Sequence, residues 1–345
     1  RRYSEIQPRR VRRFERKSTY SQIGAHHMLS FQDVSTTLRD TLRLYWLLIR
    51  IVLPVMVLSR VAVELGLIDL LAPLFAPLMV MVGLPPELGF AWLASIFVGI
   101  WAGAVAIYSL VPVDSLTTAQ VTIASSLFLF AHAMPVEQRI VQKAGPSLIA
   151  TSLLRLVGGL FYAFLLHTLF EATGWLQTPV APHWVPASKD TSWFAFVWET
   201  AEALLWMFVI LLGLVVVMKV LRKTGLMDWL TKALAPVLRI AGIGAAATPL
   251  TMVGLLLGLA YGGGLIIEEA RKGHLEPRDI FLSTSFMGLA HSLIEDTLLV
   301  VALGADLTSV FVGRLIFAIA VIALLARVID LIPKQAFFRF LFKAA

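Results

Sequence analysis

Apolar residues are grouped along the chain into long runs, separated by short polar or glycine-rich breaks. Four of these runs span 43–65, 146–170, 194–222 and 305–328. Each is long enough for one helical crossing of a bilayer, which needs roughly 20 mainly apolar residues. Shorter apolar segments lie between them. The pattern predicts an all-α polytopic membrane protein.

The pattern also repeats within the chain. A shift of 159 positions superposes a set of glycines, prolines and polar residues without a gap. Chance pairing in apolar sequence would match leucines and valines instead. The matched pairs are Gly66 and Gly225, Asp69 and Asp228, Ala76 and Ala235, Pro77 and Pro236, Gly83 and Gly242, Gly99 and Gly258, Gly103 and Gly262, Ala131 and Ala290, His132 and His291, Gly145 and Gly304, and Arg155 and Arg314. Two copies of one unit therefore make up the protein.

Each copy has the same predicted elements. A long helix leads into an amphipathic segment at the membrane interface, 67–82 or 226–241, and then into a glycine-punctuated helix, 88–110 or 247–268. The next helices, 116–131 and 275–290, would be roughly 24 Å long, too short for a hydrocarbon core of about 30 Å. We predict that each of these short helices forms a re-entrant or broken hairpin with the helix that follows. A final long helix completes the copy.

The distribution of basic residues predicts the orientation of the copies. Lys and Arg accumulate on the cytoplasmic side of membrane proteins. The stretch 61–91 has none, whereas its equivalent, 219–250, carries Lys219, Arg222, Lys223, Lys232 and Arg239. The same element is thus expected on opposite sides of the membrane. This predicts two inverted repeats, with about six crossings and two hairpins and with both termini in the cytoplasm.

We divide the chain into five parts on this basis. The first repeat occupies 40–170 and the second 194–330, joined by an extracytoplasmic linker, 171–193, and followed by a cytoplasmic tail, 331–345. Residues 1–39 are interpreted as a basic cytoplasmic tail or a non-native leader. Of the formal net charge of +7, residues 1–27 contribute +6, from eight Arg and Lys against two Glu. We read this charge as a topology signal and predict no nucleic-acid partner.

Composition removes several classes of function. The chain is 58% hydrophobic and 15% charged, and it contains no cysteine. Disulfides, thiolate metal sites and cysteine nucleophiles are thereby excluded. The chain also lacks a His-Glu-x-x-His metal site, a Gly-x-Ser-x-Gly elbow and a phosphate-binding loop. We predict no enzymatic activity, no cofactor and no metal, so that any transport would draw on an ion gradient.

The order of elements resembles a known family. The amphipathic Ala-Pro helix, the turn at Gly83-Leu84 or Gly242-Ile243, the Gly-rich helix and the broken helix are similar to the Gate or nucleoside-recognition domain. Such domains occur in concentrative nucleoside transporters, the ferrous iron transporter and spore-maturation membrane proteins. The likeness covers about 40–330 and is greatest to bacterial proteins with two such domains. It implies a multi-pass protein of the bacterial inner membrane. The chain lacks the Gln-Thr-Glu-Ala-Pro type of hairpin tip, so the substrate does not follow from the resemblance.

Histidines and carboxylates lie at equivalent breaks in the two copies. His132 is followed by Glu137, and His291 by Glu295 and Asp296, with Glu137 and Asp296 at matching positions. In inverted-repeat transporters such breaks meet near the midplane and bind substrate. Ionisable groups at that depth are costly and mark function by default. The cluster is a candidate site for a proton, a cation or a polar substrate. The alternative is that these groups are solvated helix caps at an interface.

Two arginines are expected at mid-membrane depth. Arg155 and Arg314 lie within the final long helices. Each needs a partner, because an unpaired guanidinium there would cost several kcal/mol. The carboxylate of the same copy, Glu137 or Asp296, is one candidate, and an anionic substrate is the other.

Further polar residues carry weaker signals. Ser126 and Ser285 could hydrogen-bond a substrate, but serine also serves ordinary helix packing. Glu199 and Glu202 are interpreted as the solvated start of a helix.

The sequence therefore predicts an ion-gradient-driven secondary transporter of a small polar or anionic solute, nucleoside-like or a carboxylate. The predicted partners are that solute, H⁺ or Na⁺ as the coupling ion and the lipid bilayer; a homo-oligomer is compatible with the sequence. The alternative function is a non-transporting membrane assembly or recognition protein of the spore-maturation type.

Overall fold

The computed structural model describes residues 31–180, 182 and 192–343. The basic segment 1–30 and most of the linker, 183–191, lie outside the described residues. The described part is helical throughout its secondary structure and contains six helices long and apolar enough to cross a membrane. The protein is an all-α polytopic membrane protein, as the apolar runs predict.

The helices of the two halves correspond one to one. The first half contains α1 (Phe31–Glu64), α2 (Leu67–Met81), α3 (Leu88–Phe97), α4 (Ile100–Leu110), α5 (Thr118–Phe130), α6 (Met134–Lys143) and α7 (Leu148–Thr173). The second half contains α8 (Trp193–Lys223), α9 (Leu226–Ile240), α10 (Thr248–Leu257), α11 (Leu259–Arg271), α12 (Pro277–Ala290), α13 (Glu295–Ala302) and α14 (Arg314–Leu331), the last preceded by a π-helical turn, Thr308–Gly313. Most helix boundaries in the second half lie 159 positions after their equivalents in the first half, to within two residues.

The glycine-punctuated segments form the hairpins, which corrects the prediction of a single helix over 88–110 and 247–268. The first is interrupted at Gly99, with φ 139°, and the second at Gly258, with φ 101°. These values favour glycine and end the helix there. In the second hairpin a Cβ on Gly262 would lie 2.3 Å from the Cα of Gly254. The small residues thus bring the arms of one hairpin together, and they also leave room for Met287 of the neighbouring α12, whose Sδ would lie 2.9 Å from a Cβ on Gly262.

The segments predicted as hairpins are instead candidate membrane spans with a break in the middle, 118–143 and 277–302. Helices α5 and α6 both pack along α7, as successive parts of one discontinuous crossing. Each break contains a residue other than glycine in the left-handed region, Ala133 or Ser292, both with φ 46°. The total of six candidate spans and two hairpins agrees with the prediction, but the segments exchange roles.

The hairpins contact the breaks through backbone hydrogen bonds. The amide of Ala133 donates to the carbonyl of Ser95 in α3 at 3.0 Å. The amide of Leu293 donates to the carbonyl of Leu255 in α10 at 2.8 Å. Backbone groups freed by a broken helix inside a membrane need such partners. Each hairpin therefore stabilises the break in its own half.

The linker and the tail close equivalent turns. Val180 of the linker packs against Gly304. A Cβ added to Gly304 would lie 2.4 Å from Cγ2 of Val180. The ring of Phe342 packs against Gly145 in the same way. A Cβ added to Gly145 would lie 2.4 Å from Cζ of Phe342. Both glycines have positive φ, 103° and 113°. The C-terminal segment is thus packed onto the start of α7.

Candidate binding site at the helix breaks

The site is built by the C-terminal ends of α5 and α12, which place His132 and His291 side by side. The rings are 6% and 1% exposed, and their Nε2 atoms are 3.0 Å apart. The sequence predicted that the two breaks would meet, and the two histidines, 159 residues apart, are in direct contact.

Hydrogen bonds fix the tautomer of both rings. The Nδ1 of His132 is 2.8 Å from the carbonyl oxygen of Phe128, and the Nδ1 of His291 is 2.8 Å from that of Met287. A carbonyl oxygen only accepts, so each Nδ1 must carry the hydrogen. In the neutral rings both Nε2 atoms then present lone pairs to each other. One proton between them would convert this repulsion into a hydrogen bond.

A carboxylate from each half faces the histidine pair. Oε1 of Glu137 is 3.2 Å from Nε2 of His291 and 3.6 Å from Nε2 of His132. Oδ2 of Asp296 is 3.5 Å from Nε2 of His132. Each carboxylate therefore lies against the histidine of the other half, and the site exists only where the halves meet.

Arg155 joins its helix to the break and to the carboxylate. Its guanidinium is 2.6 Å from Oε2 of Glu137 and donates to the carbonyls of Phe130 at 2.7 Å and His132 at 3.1 Å. The carbonyls at a helix C-terminus carry partial negative charge and lack partners within the helix. Arg155 satisfies them, and the predicted ion pair with Glu137 is present.

Arg314 has the same backbone role but no matching ion pair. It donates to the carbonyls of Leu289 at 2.9 Å and His291 at 3.2 Å, and to that of Leu129 in the other half at 3.0 Å. Among the described residues no carboxylate lies within 4.0 Å of it, and its NH1 has no hydrogen-bond partner. Oδ2 of Asp296 also has no hydrogen-bond partner there. The pairing predicted for Asp296 is therefore wrong in this structure, because the aspartate is one methylene shorter than Glu137.

The remaining predicted residues are not all at the site. Glu295 is exposed and is absent from the contacts of the histidine pair. The hydroxyl of Ser126 donates to the carbonyl of Thr122 in its own helix at 2.9 Å, whereas the buried hydroxyl of Ser285 has no partner among the described residues. Glu199, interpreted as a solvated cap, has a buried Oε1 that faces a cavity. Its sequence position gave no signal for this, because the cavity forms only between distant helices.

Three ligand atoms at the site are close enough to hold a metal ion. The side chains of His132, His291 and Asp296 each offer one atom, all within 4.8 Å of one another. Two arginines, Arg155 and Arg314, lie beside the same cluster.

Comparison with known proteins finds a family that the second half resembles. The profile of the Gate family, described as nucleoside recognition, matches residues 204–330. These residues are similar to the Gate domain. The chain is also 24% identical over 281 residues to the "Uncharacterized membrane protein YvoD" of Bacillus subtilis (strain 168). The aligned region covers 79% of this chain and 88% of the relative. No solved structure matches the chain. The resemblance predicted from the glycines and breaks is thus confirmed in the second half, and the matched segment contains α12, α13 and His291.

Proposed function

We propose that the protein is a secondary transporter of a small polar solute, nucleoside-like or a carboxylate, and that a proton is the coupling ion. The observation that carries the proposal is the histidine pair, with both Nδ1 atoms committed to carbonyls and both Nε2 atoms facing each other at 3.0 Å. Such a pair takes up one proton and not two, because a second would place two imidazolium rings in contact. It suits reversible binding of a single proton.

Ligand chemistry favours a proton over Na⁺ and over a divalent metal. Hard cations take oxygen ligands, whereas two imidazole nitrogens suit a proton or a transition metal. Glu137 and Asp296 together carry at most two negative charges, which Arg155 and Arg314 would offset. A proton would leave one net positive charge in the buried cluster and a divalent ion would leave two. Buried uncompensated charge is costly, so the proton is preferred.

An asymmetry between the halves supports alternating access. A cavity of about 170 Å³ separates α4 from α13 and is lined by Ala104 and Leu299. Their equivalents, Gly263 in α11 and Ile140 in α6, are in contact, since a Cβ on Gly263 would lie 2.7 Å from Cγ2 of Ile140. One interface is open while its equivalent is closed. Inverted-repeat transporters are expected to exchange these two states.

The proposal includes a topology in the bacterial inner membrane. With α1, the broken span 118–143 and α7 as the crossings of the first half, the linker lies outside and both termini lie inside. The basic residues around α9 then face the cytoplasm, in agreement with the positive-inside rule. Glu87→Cys and Lys232→Cys test this in a chain without native cysteine. An impermeant thiol reagent should label the first from outside only and the second from inside only; labelling of both from one side would refute the inversion.

Solute-linked proton flux in proteoliposomes tests the function itself. The purified protein is reconstituted with a trapped pH-sensitive dye, and uridine and succinate serve as probes of the two solute classes. We expect one of them to drive proton movement in the wild type and in His274→Ala, a surface histidine variant, but not in His291→Ala. Proton movement that neither probe changes would favour the non-transporting assembly protein.

A further inference from the structure

The cavity between the halves has chemistry of its own, apart from the histidine pair. It lies between α1, α4, α8 and α13 and has a volume of about 170 Å³. Its walls include the rings of Trp101, Tyr108 and Phe196 and the thioethers of Met56 and Met207. A cavity of about 150 Å³ is large enough to bind benzene. This one therefore fits a molecule with a single aromatic ring and a short substituent.

Two polar side chains in the cavity wall lack partners. Oε1 of Glu199 and Oγ1 of Thr200 are buried and have no hydrogen-bond partner among the described residues. Thr200 is 7% exposed. Both lie on α8 inside a candidate span, where an unsatisfied polar group is costly and by default functional. The wall thus offers a carboxylate oxygen and a hydroxyl to an occupant.

The charge of the cavity favours a cation. Arg60 also lines it, but its guanidinium is 2.8 Å from Oε1 of Glu64 and lies 5.8 Å from the ring centroids of Trp193 and Phe196. The charge of Arg60 is therefore offset by Glu64. The carboxylate of Glu199 has no such counterpart among the described residues, and the aromatic rings beside it attract cations through their faces.

We propose that this cavity binds a small organic cation, a primary amine on an apolar or aromatic body. The ammonium group contacts Glu199 and Thr200, and the body packs against Trp101 and Phe196. The occupant would lie between α4 and α13 and keep them apart. The site is a binding site in its own right, and it does not depend on transport by the histidine pair.

Binding of phenethylamine to the purified protein tests the proposal, with 2-phenylethanol as the neutral ligand of the same shape. We expect saturable binding of the amine at least about tenfold tighter than that of the alcohol, equivalent to about 1.4 kcal/mol. Glu199→Gln should remove this preference. Glu202→Gln, a carboxylate of the same helix that does not line the cavity, should leave it unchanged.

A second variant tests the location. Ala203 lines the cavity, so Ala203→Phe should fill it and abolish binding of both ligands. The proposal is overturned if the wild type shows no saturable binding at millimolar amine, if the alcohol binds as tightly as the amine, or if Glu199→Gln and Ala203→Phe bind like the wild type. The comparison of the two ligands on the wild type stands even if a variant fails to fold. These outcomes are separate from proton flux, so each proposal can fail alone.

Discussion

The two arginine sites differ by one methylene group. Arg155 and Arg314 bond to the equivalent carbonyls at the ends of α5 and α12, with Nε on Phe130 and on Leu289. In the first half Glu137 reaches its arginine at 2.6 Å. In the second half Asp296 does not reach, and a guanidinium nitrogen and a carboxylate oxygen are left without partners among the described residues.

This difference distinguishes the structural role of the arginines, which both halves share, from a functional role in one half. Capping of a helix end by arginine is common to both halves and explains why a cation is tolerated at this depth. Within the described part of the chain, the ion pair is found in the first half only. The second half keeps a donor and an acceptor that a solute, a proton or a rearranged helix could use, and it is the half that matches the Gate family. We expect the first half to hold the site together and the second half to change state.

We expect the largest effect, on proton flux, from mutation of the histidine pair, to which each half contributes one residue. We propose that His132 and His291 share a single proton site, so His132→Ala and His291→Ala should each reduce solute-linked proton flux to background. The double variant should be no worse, because residues acting as a unit are not additive. Flux in liposomes measures this for all three variants. A double variant much worse than either single one would show that each histidine binds its own proton.

The next effect concerns stability. Arg155→Ala leaves Glu137 buried without its partner, which should cost about 3–5 kcal/mol of unfolding free energy, measured by SDS titration in mixed micelles. The double change Arg155→Leu with Glu137→Leu should recover only part of this loss. The carbonyls of Phe130 and His132 would still lack their donor. Full recovery would mean that the ion pair alone explains the buried arginine.

The smallest effect tests the missing methylene directly. Asp296→Glu should let the carboxylate reach Arg314 and stabilise the protein by about 1.5–3 kcal/mol, the range for a hydrogen bond to a charged group. Glu137→Asp should lose a similar amount from the first half. Both are read from the same SDS titration. If Asp296→Glu destabilises the protein, the space beside Arg314 does not accept a longer side chain.

Sequence reasoning succeeded where spacing alone decides the outcome. The offset of 159 places His132 and His291 at equivalent breaks, and inverted repeats bring equivalent breaks together. Sequence reasoning failed where the backbone conformation of single residues determines the structure. Gly99 and Gly103 fit either a helix-packing face or a hairpin, and only the positive φ of Gly99 distinguishes the two.

The side chains at the breaks show the same limit. Glu295 and Asp296 are neighbours in sequence, yet one is exposed and the other buried. The direction of the first turn of α13 decides this, and the sequence does not give it. The cavity beside Glu199 was also missed, since its walls come from four helices far apart in the chain.

A pair of cysteine cross-links tests alternating access most directly. Ile140→Cys with Gly263→Cys spans the closed interface, where the Cβ atoms would be close enough for a disulfide. Ala104→Cys with Leu299→Cys spans the equivalent open cavity. We predict that the first pair cross-links readily in the resting protein and blocks proton-linked flux until it is reduced, and that the second pair cross-links only after the protein changes state. Equal cross-linking of both pairs at rest, or undiminished flux through the cross-linked first pair, would contradict alternating access between the two halves.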